Sequence, residues 1–371
     1  MFANFSNCDF ANIRNKDVRA LAEAGTKLVE MYSQLVDKTA SFSQAEYDEK
    51  NKKFCESLVK ACMKNTPYEF SSVKDVADPQ VYKASGFKDT FASVLSQIIN
   101  PVAPAVTSSQ FSDLADVHNV GYGENGIFQI NSNELFVVND IAEGVLHGGL
   151  QRLYNNEVSV SAKPKQIRFD MPWYQLAAGR LDFGQAAYRV GISFAAYINA
   201  MIIKTLMEYV KAMEGNSIYV EATGFSDANW LAMAQRVSAV NGGAQVLAIG
   251  DLATIGTILP NTVGLQYGLG PDYVRKGHLD MYKGVRIEVI DPTIVPGTEN
   301  TTALLAVPSG VIFMLPVGMN RPVKIVFEGA NTTVEALPTE TADKVAGYAV
   351  TMRVGMAMVV GSRFGVISGV K

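Results

Sequence analysis

Residues 146–213 constrain the fold more than any other part of the chain. There, a charged, strand-like arm of about 35 residues runs directly into a long and nearly unbroken apolar helical pattern. The arm alternates with period two through residues 158–160 and 167–169. It carries Arg152, Glu157, Lys163, Lys165, Arg168 and Asp170 among few bulky apolar side chains. A hairpin of that composition is marginal in water unless another surface covers it. The following helix is expected over residues 183–214, with Asp182 as N-cap and Gly215-Asn216 as its stop. It would span about 48 Å, long enough to act as a beam. Its most apolar run, residues 190–203, would rise only about 21 Å, short of the roughly 30 Å hydrocarbon core. It therefore reads as a buried helix, with no membrane partner.

A chain of 371 residues with 48% hydrophobic and 18% charged side chains can bury a large core, and its length favours two or three lobes. The formal charge of −4 gives no sign of a nucleic-acid binder. The densest basic run, Lys50, Lys52 and Lys53, stands beside Asp48, Glu49 and Glu56 and reads as a solvated helix face. Cys8, Cys55 and Cys62 have no metal-ligand spacing and fit a reducing compartment. Cys55 and Cys62 fall on one helical face as small apolar side chains. The first fifteen residues have neither a charged leader nor a continuous apolar core.

The N-terminal third reads as helical. Val18, Leu21, Leu28, Tyr32 and Leu35 share one face, and Ser43 with Glu46 forms a capping box for a helix reaching about Met63. Tyr47, Phe54, Leu58 and Cys62 make a narrow stripe on that helix, suited to docking on a neighbouring surface. A third pattern, Phe87, Phe91, Val94, Leu95 and Ile98, ends at Pro101. Short strands and turns are expected over 117–138. Beyond the long helix come a strand at 218–221, a helix at 227–240 capped by Ser226, a strand at 245–249 and a short helix from Asp251. Further strands are expected at 285–290, 303–307, 311–315 and 323–327, and two more at 348–354 and 357–360.

Chemical signatures are few. Gly121, Gly123 and Gly126 have the spacing of a dinucleotide loop, but Ile127-Phe128-Gln129-Ile130 follows as a strand where a helix N-terminus is required, so a turn is expected. No phosphate-binding Gly-Lys-Ser/Thr loop and no Gly-x-Ser-x-Gly occurs. His118, His147 and His278 lack a second ligand at metal spacing. Asp280 and Asp291 flank a strand without an identifiable partner. No catalytic, cofactor-binding or metal residue is assigned.

The order of parts resembles the major capsid proteins of tailed bacteriophages, the Hong Kong 97-like fold. The resemblance covers most of residues 105–371. It is carried best by Gln166-Ile167-Arg168-Phe169-Asp170 leading to Gly179-Arg180-Leu181-Asp182-Phe183, and by the segment from Gly277-His278-Leu279-Asp280 to Ile287-Glu288-Val289-Ile290. It implies an α+β chain with an N-terminal helical arm (1–115), a strand region with an extended β-hairpin loop (116–182), a spine helix (183–216), an axial domain (217–322) and a peripheral sheet (323–371). Within this scheme the extended loop would occupy 146–180, and the N-terminal region would be retained. The resemblance also implies a non-enzymatic subunit of an icosahedral virion shell, assembled in the host cytoplasm from hexamers and pentamers. Such a shell encloses double-stranded DNA without sequence-specific binding and adds portal, scaffolding or decoration proteins. Intersubunit contacts are expected from Arg152, Glu157, Lys163, Lys165, Arg168, Asp170 and Arg180. The rivals are an encapsulin-like nanocompartment and a cytosolic α/β enzyme centred on 217–319.

Overall fold

A computed structural model describes residues 15–99, 115–131, 137–138, 151, 155–178, 180–213, 217–258, 276–290 and most of 292–370. Cys8, Pro101, His147, Arg152, Gly179 and Asp291 lie outside the described residues. The chain opens with helices α1 (Lys16–Val36), α2 (Gln44–Met63) and α3 (Ser85–Ile99). Strands β1 (Ala115–Val120), β2 (Gly126–Asn131), β3 (Asn155–Val160) and β4 (Lys163–Pro172) lead to the long helix α4 (Phe183–Met213). Then come β5 (Val220–Glu221), α5 (Asp227–Val240), β6 (Val246–Gly250), β7 (Met281–Tyr282), β8 (Val285–Val289) and β9 (Val311–Pro316). The chain closes with β10 (Val323–Glu328), β11 (Thr333–Ala336), β12 (Val345–Met358) and β13 (Gly365–Ser368).

Two compact units divide these elements. One comprises Met1–Ser109, Ala162–Ala196 and Phe327–Val354; the other comprises Gln110–Ser161, Tyr197–Val326 and Gly355–Lys371. The helical N-terminal region is built into a unit with later segments, because its narrow apolar stripes are completed there. The tail beyond residue 354 groups with the second unit.

In the first unit the start of α4 is locked by α2. Asp182 caps α4 by accepting the Gln185 N–H at 2.9 Å, and Tyr47 Oη donates to the same carboxylate at 2.5 Å. Burial, then the hydrogen bond to Asp182, holds the Tyr47 hydroxyl far above the ordinary tyrosine range. Asn51 Nδ2 donates to the Leu181 carbonyl at 2.8 Å, and its Oδ1 accepts the Phe183 N–H at 3.2 Å. One amide thus satisfies the Phe183 N–H, which a helix start leaves open, and the carbonyl that precedes the cap. Aromatic contacts continue from Phe54 to Phe183 (4.9 Å between ring centres), Phe183 to Phe91 (6.1 Å), Phe91 to Tyr348 (5.1 Å) and Tyr348 to Phe169 (6.1 Å). Tyr348 sits on β12, which pairs antiparallel with β4 on one side and β11 on the other. Cys55 and Cys62 are buried, and burial pushes the Cys55 thiol up to about 12 and that of Cys62 higher, so both are inert small packing groups.

The second unit holds a mixed six-stranded sheet in the order β5-β13-β9-β6-β8-β7, with β6 and β8 parallel and β9 antiparallel to β6. Ser226 caps α5, whose Trp230, Met233 and Val237 pack on Ala248, Ile287, Ile312 and Ile367 of the sheet. Tyr282 Oη donates to Asp227 at 2.5 Å, with Lys283 pairing the same carboxylate at 2.9 Å; these two bonds hold the Asp227 carboxyl below its ordinary value.

Three expectations change. The strand expected at 348–354 continues as β12 to Met358 and takes in residues 357 and 358 of the second expected strand, whose residues 359 and 360 lie outside the described residues. The strand expected at 303–307 is not seen as a ladder among the described residues: Ala303 takes φ +45° and donates its N–H to the Thr298 carbonyl at 2.8 Å, Leu305 makes a single bridge with Ile294, and residue 306 lies outside the described residues. The C-terminal residues do not all belong with β12, because β13 inserts between β5 and β9. Val366 and Ile367 are fully buried there, and a Cβ on Gly365 would stand 2.5 Å from Met233 Sδ, so a larger residue there must displace the Met233 side chain of α5.

Helix α4 is longer than the apolar run at its centre and spans about 46 Å. By length and composition Phe183–Lys211 could cross a bilayer, the one described helix that passes this test. Half of its most apolar window is buried inside the protein. Phe183, Val190, Phe194, Ile198, Ile202, Leu206 and Val210 form the buried stripe, while Lys204 and Glu208 pair at 3.8 Å on the exposed side. A stripe with a charged back is that of a helix packed on a protein core.

Candidate intersubunit surface

The arm that dominated the sequence divides into two different structures. Strand β3 pairs with β2 in a two-stranded antiparallel ribbon, Gly126 opposite Val160 through Asn131 opposite Asn155. Strand β4 pairs with β12 over its whole length, from Lys163 opposite Val354 to Pro172 opposite Val345. The expectation that residues 146–180 form one hairpin with little to bury is therefore corrected for residues 163–172. Ile167 and Phe169 alternate inward beside Val350 and Tyr348, which is enough apolar surface to seat a sheet strand.

The ribbon has one anchored face and one open face. Phe128, Val158 and Val160 pack with Val120, Val326 and Ala357. A Cβ on Gly126 would stand 2.4 Å from Val326 Cγ2, so the ribbon approaches β10 closely enough that any larger residue must displace its neighbour. Beneath Phe128 lies Lys324, 4% exposed, its ammonium 5.5 Å from the ring centre and 3.0 Å from the Asp116 carboxylate. Burial raises the Asp116 carboxyl, but the hydrogen bond and charge of Lys324, helped by His118 and Arg321, outweigh this and hold it below its ordinary value. His118 stands 3.6 Å from Asp116 and 4.6 Å from the Phe128 ring. On the opposite face Ile127 is 62% exposed, and Gln129, Glu157 and Ser159 share its exposure. At the distal end Val137 and Val138 are 66% and 95% exposed. The Gln151 side chain holds this end: its Oε1 accepts the Val137 N–H at 2.7 Å and its Nε2 donates to the Val137 carbonyl at 2.5 Å.

The residues expected to make contacts fall into separate groups. Glu157 is exposed on the open face of the ribbon. Lys163, Arg168 and Asp170 are exposed and Lys165 half-buried on β4, where Arg168 and Asp170 lie on the face of Gln166, whose Nε2 donates to Thr351 Oγ1 at 3.1 Å. Arg180 is exposed just before α4, its backbone N–H bonded to the Gln175 carbonyl at 2.9 Å. Sequence reasoning missed the Lys324–Asp116 anchor, although a lysine inside the apolar run 323–327 is itself a signal that a buried partner exists. It also missed the exposed valines, because they lie before the charged stretch. The glycine-spaced segment before β2 is a turn, with the Gly121 N–H donated to Glu124 Oε2 at 2.9 Å. Among the described residues no cluster of three or more His, Cys, Asp or Glu could hold a metal ion.

The described elements make an α+β chain in which a two-stranded ribbon, a beam-like helix and two sheet-bearing units are built from interleaved segments. The chain belongs to the YonB family, described as "SPbeta prophage-derived putative capsid protein YonB", whose model matches residues 26–368. It is a bacteriophage capsid shell protein. Among solved structures it is similar to the mature capsid of bacteriophage PhiM1 (11% identity, 70% of this chain and 86% of that chain covered, TM-score 0.48). It is also similar to the capsid of cyanophage P-SCSP1u (11%, 70% and 87%, 0.47) and to a virus-like particle from Pyrococcus furiosus (11%, 73% and 97%, 0.42). No curated protein sequence matches the chain.

Proposed function

We propose that this chain is the major capsid protein of a tailed double-stranded DNA phage, closing into an icosahedral head from hexamers and pentamers in the host cytoplasm. In this reading it works by geometry, with no catalytic residue, and encloses DNA without reading its sequence. Portal, scaffolding or decoration proteins would complete the particle. The observation that carries the reading is the β2–β3 ribbon: two strands anchored on one face, with the other face open and an apolar end exposed for a partner to cover. A second copy is the natural cover in a shell, where heterologous contacts must close into rings. The charged side chains Arg152, Glu157, Lys163, Lys165, Arg168, Asp170 and Arg180 would then set register between copies more than affinity.

Electron microscopy of the purified protein, with a nucleic-acid assay of whatever particles form, tests this. Closed shells able to enclose DNA are expected. Shells holding only a protein cargo would favour a nanocompartment, and a small oligomer at every salt and protein concentration would overturn the shell reading.

A further inference from the structure

In the first unit, α1 and α2 leave a groove of about 410 Å³ between them. Its floor is apolar, formed by Leu21, Leu28 and Phe54, and its edges are Lys27, Lys50 and Lys53. Lys53 pairs with Glu49 at 2.6 Å along its own helix. Among the described residues, the Lys50 ammonium hydrogen-bonds only to the Met31 sulfur, at 3.7 Å, and Lys27 has no acidic partner. An apolar floor between unneutralised cations fits a segment that presents apolar side chains flanked by carboxylates.

The chain contains such a segment. Between β2 and Gln151 it carries Leu135, Phe136, Val137, Val138 and Ile141 together with Glu134, Asp140 and Glu143, and no lysine or arginine. Val137 and Val138 are its described apolar residues, and both are exposed. We propose that the acidic, apolar end of the β2–β3 ribbon of one copy docks in the lysine-edged groove between α1 and α2 of another copy. Val137 and Val138 supply apolar side chains for the floor, and the carboxylates that flank them in sequence supply the charge that Lys27 and Lys50 call for. This rests on the shell reading above and adds to it the receiving surface, which gives the N-terminal helices a role in assembly. It also accounts for the two lysines left without acids at the edge of an apolar groove.

The test is a charge swap read by light scattering and electron microscopy. The double variant K27E/K50E should raise the protein concentration needed for assembly by about tenfold or more, as should E134K/D140K, with unchanged circular dichroism. Mixing the two variants should restore assembly, because each then offers the other a matching partner. Rescue on mixing requires docking between copies; rescue only when all four substitutions share one chain would mean docking within the chain and would overturn the proposal. Normal assembly of K27E/K50E would also overturn it while leaving the shell reading intact. If the unsubstituted protein never assembles, the shell reading itself fails. An independent check is M31C with V138C: oxidation should give a ladder of linked chains on a non-reducing gel, and linked chains absent from assembled particles would contradict the docking.

Discussion

Strands β3 and β4 are neighbours in sequence and opposites in support. Six residues of β3 have a single partner strand and an open face, whereas ten residues of β4 lie along β12 in a sheet carried by the helices of the first unit. Both carry charge and both alternate, so the period-two pattern alone cannot separate them. The difference lies in what stands opposite. Val350 and Tyr348 give Ile167 and Phe169 a buried surface, while Ile127 and Ser159 face only solvent. Strand β4 is seated in a sheet that the helices carry, whereas the ribbon has one anchored face and leaves the other open, a surface that an assembly can use.

The largest effect that would sharpen this contrast comes from replacing residues 132–154 by a two-residue Asn-Gly turn, which keeps β2 and β3 paired. Shells should disappear from electron micrographs, while denaturant unfolding of the monomer changes by no more than about 0.5 kcal/mol. A large loss of monomer stability would break the distinction. In the sheet strand the opposite is expected. Ile167→Asp places a carboxylate beside Val350 and should lower monomer stability by about 3 kcal/mol in urea unfolding.

The ribbon's anchor gives an intermediate effect. Asp116→Asn leaves the Lys324 ammonium buried beside Phe128 and should cost about 2 kcal/mol, less than a fully buried pair because Asp116 is partly exposed. The folded Asp116 carboxyl sits below its ordinary value, so its contribution is present above roughly pH 4 and is lost as pH falls through the folded value. The asparagine variant should lack that part of the acid limb in a series of urea melts between neutral pH and pH 3. The smallest effect belongs to Gly126→Ala, where a methyl must fit 2.4 Å from Val326 Cγ2: about 1 kcal/mol, with faster hydrogen exchange confined to β2 and β3.

Much of the fold was legible because local signals agreed with tertiary packing. The Ser43–Glu46 capping box, Asp182 at the start of α4 and Ser226 before α5 all perform the capping that their residue types suggest. Strand ends were less legible where long-range pairing decided them. β13 is only four residues long and owes its place to the gap between β5 and β9, which no local pattern announces. The sequence pointed to a candidate surface by charge, and the structure adds apolar groups to it. Charge marked the arm, but the side chains that set it apart are Ile127, Val137 and Val138, apolar groups whose exposure depends on which strand pairs with which.

Hydrogen exchange of the same protein before and after assembly tests the central claim most directly. The account predicts that amides of β4 and β12 are protected in both states, while those around the open end of the β2–β3 ribbon exchange quickly in the free subunit and slow by at least tenfold in particles. Equal exchange of the ribbon in free and assembled protein would contradict it.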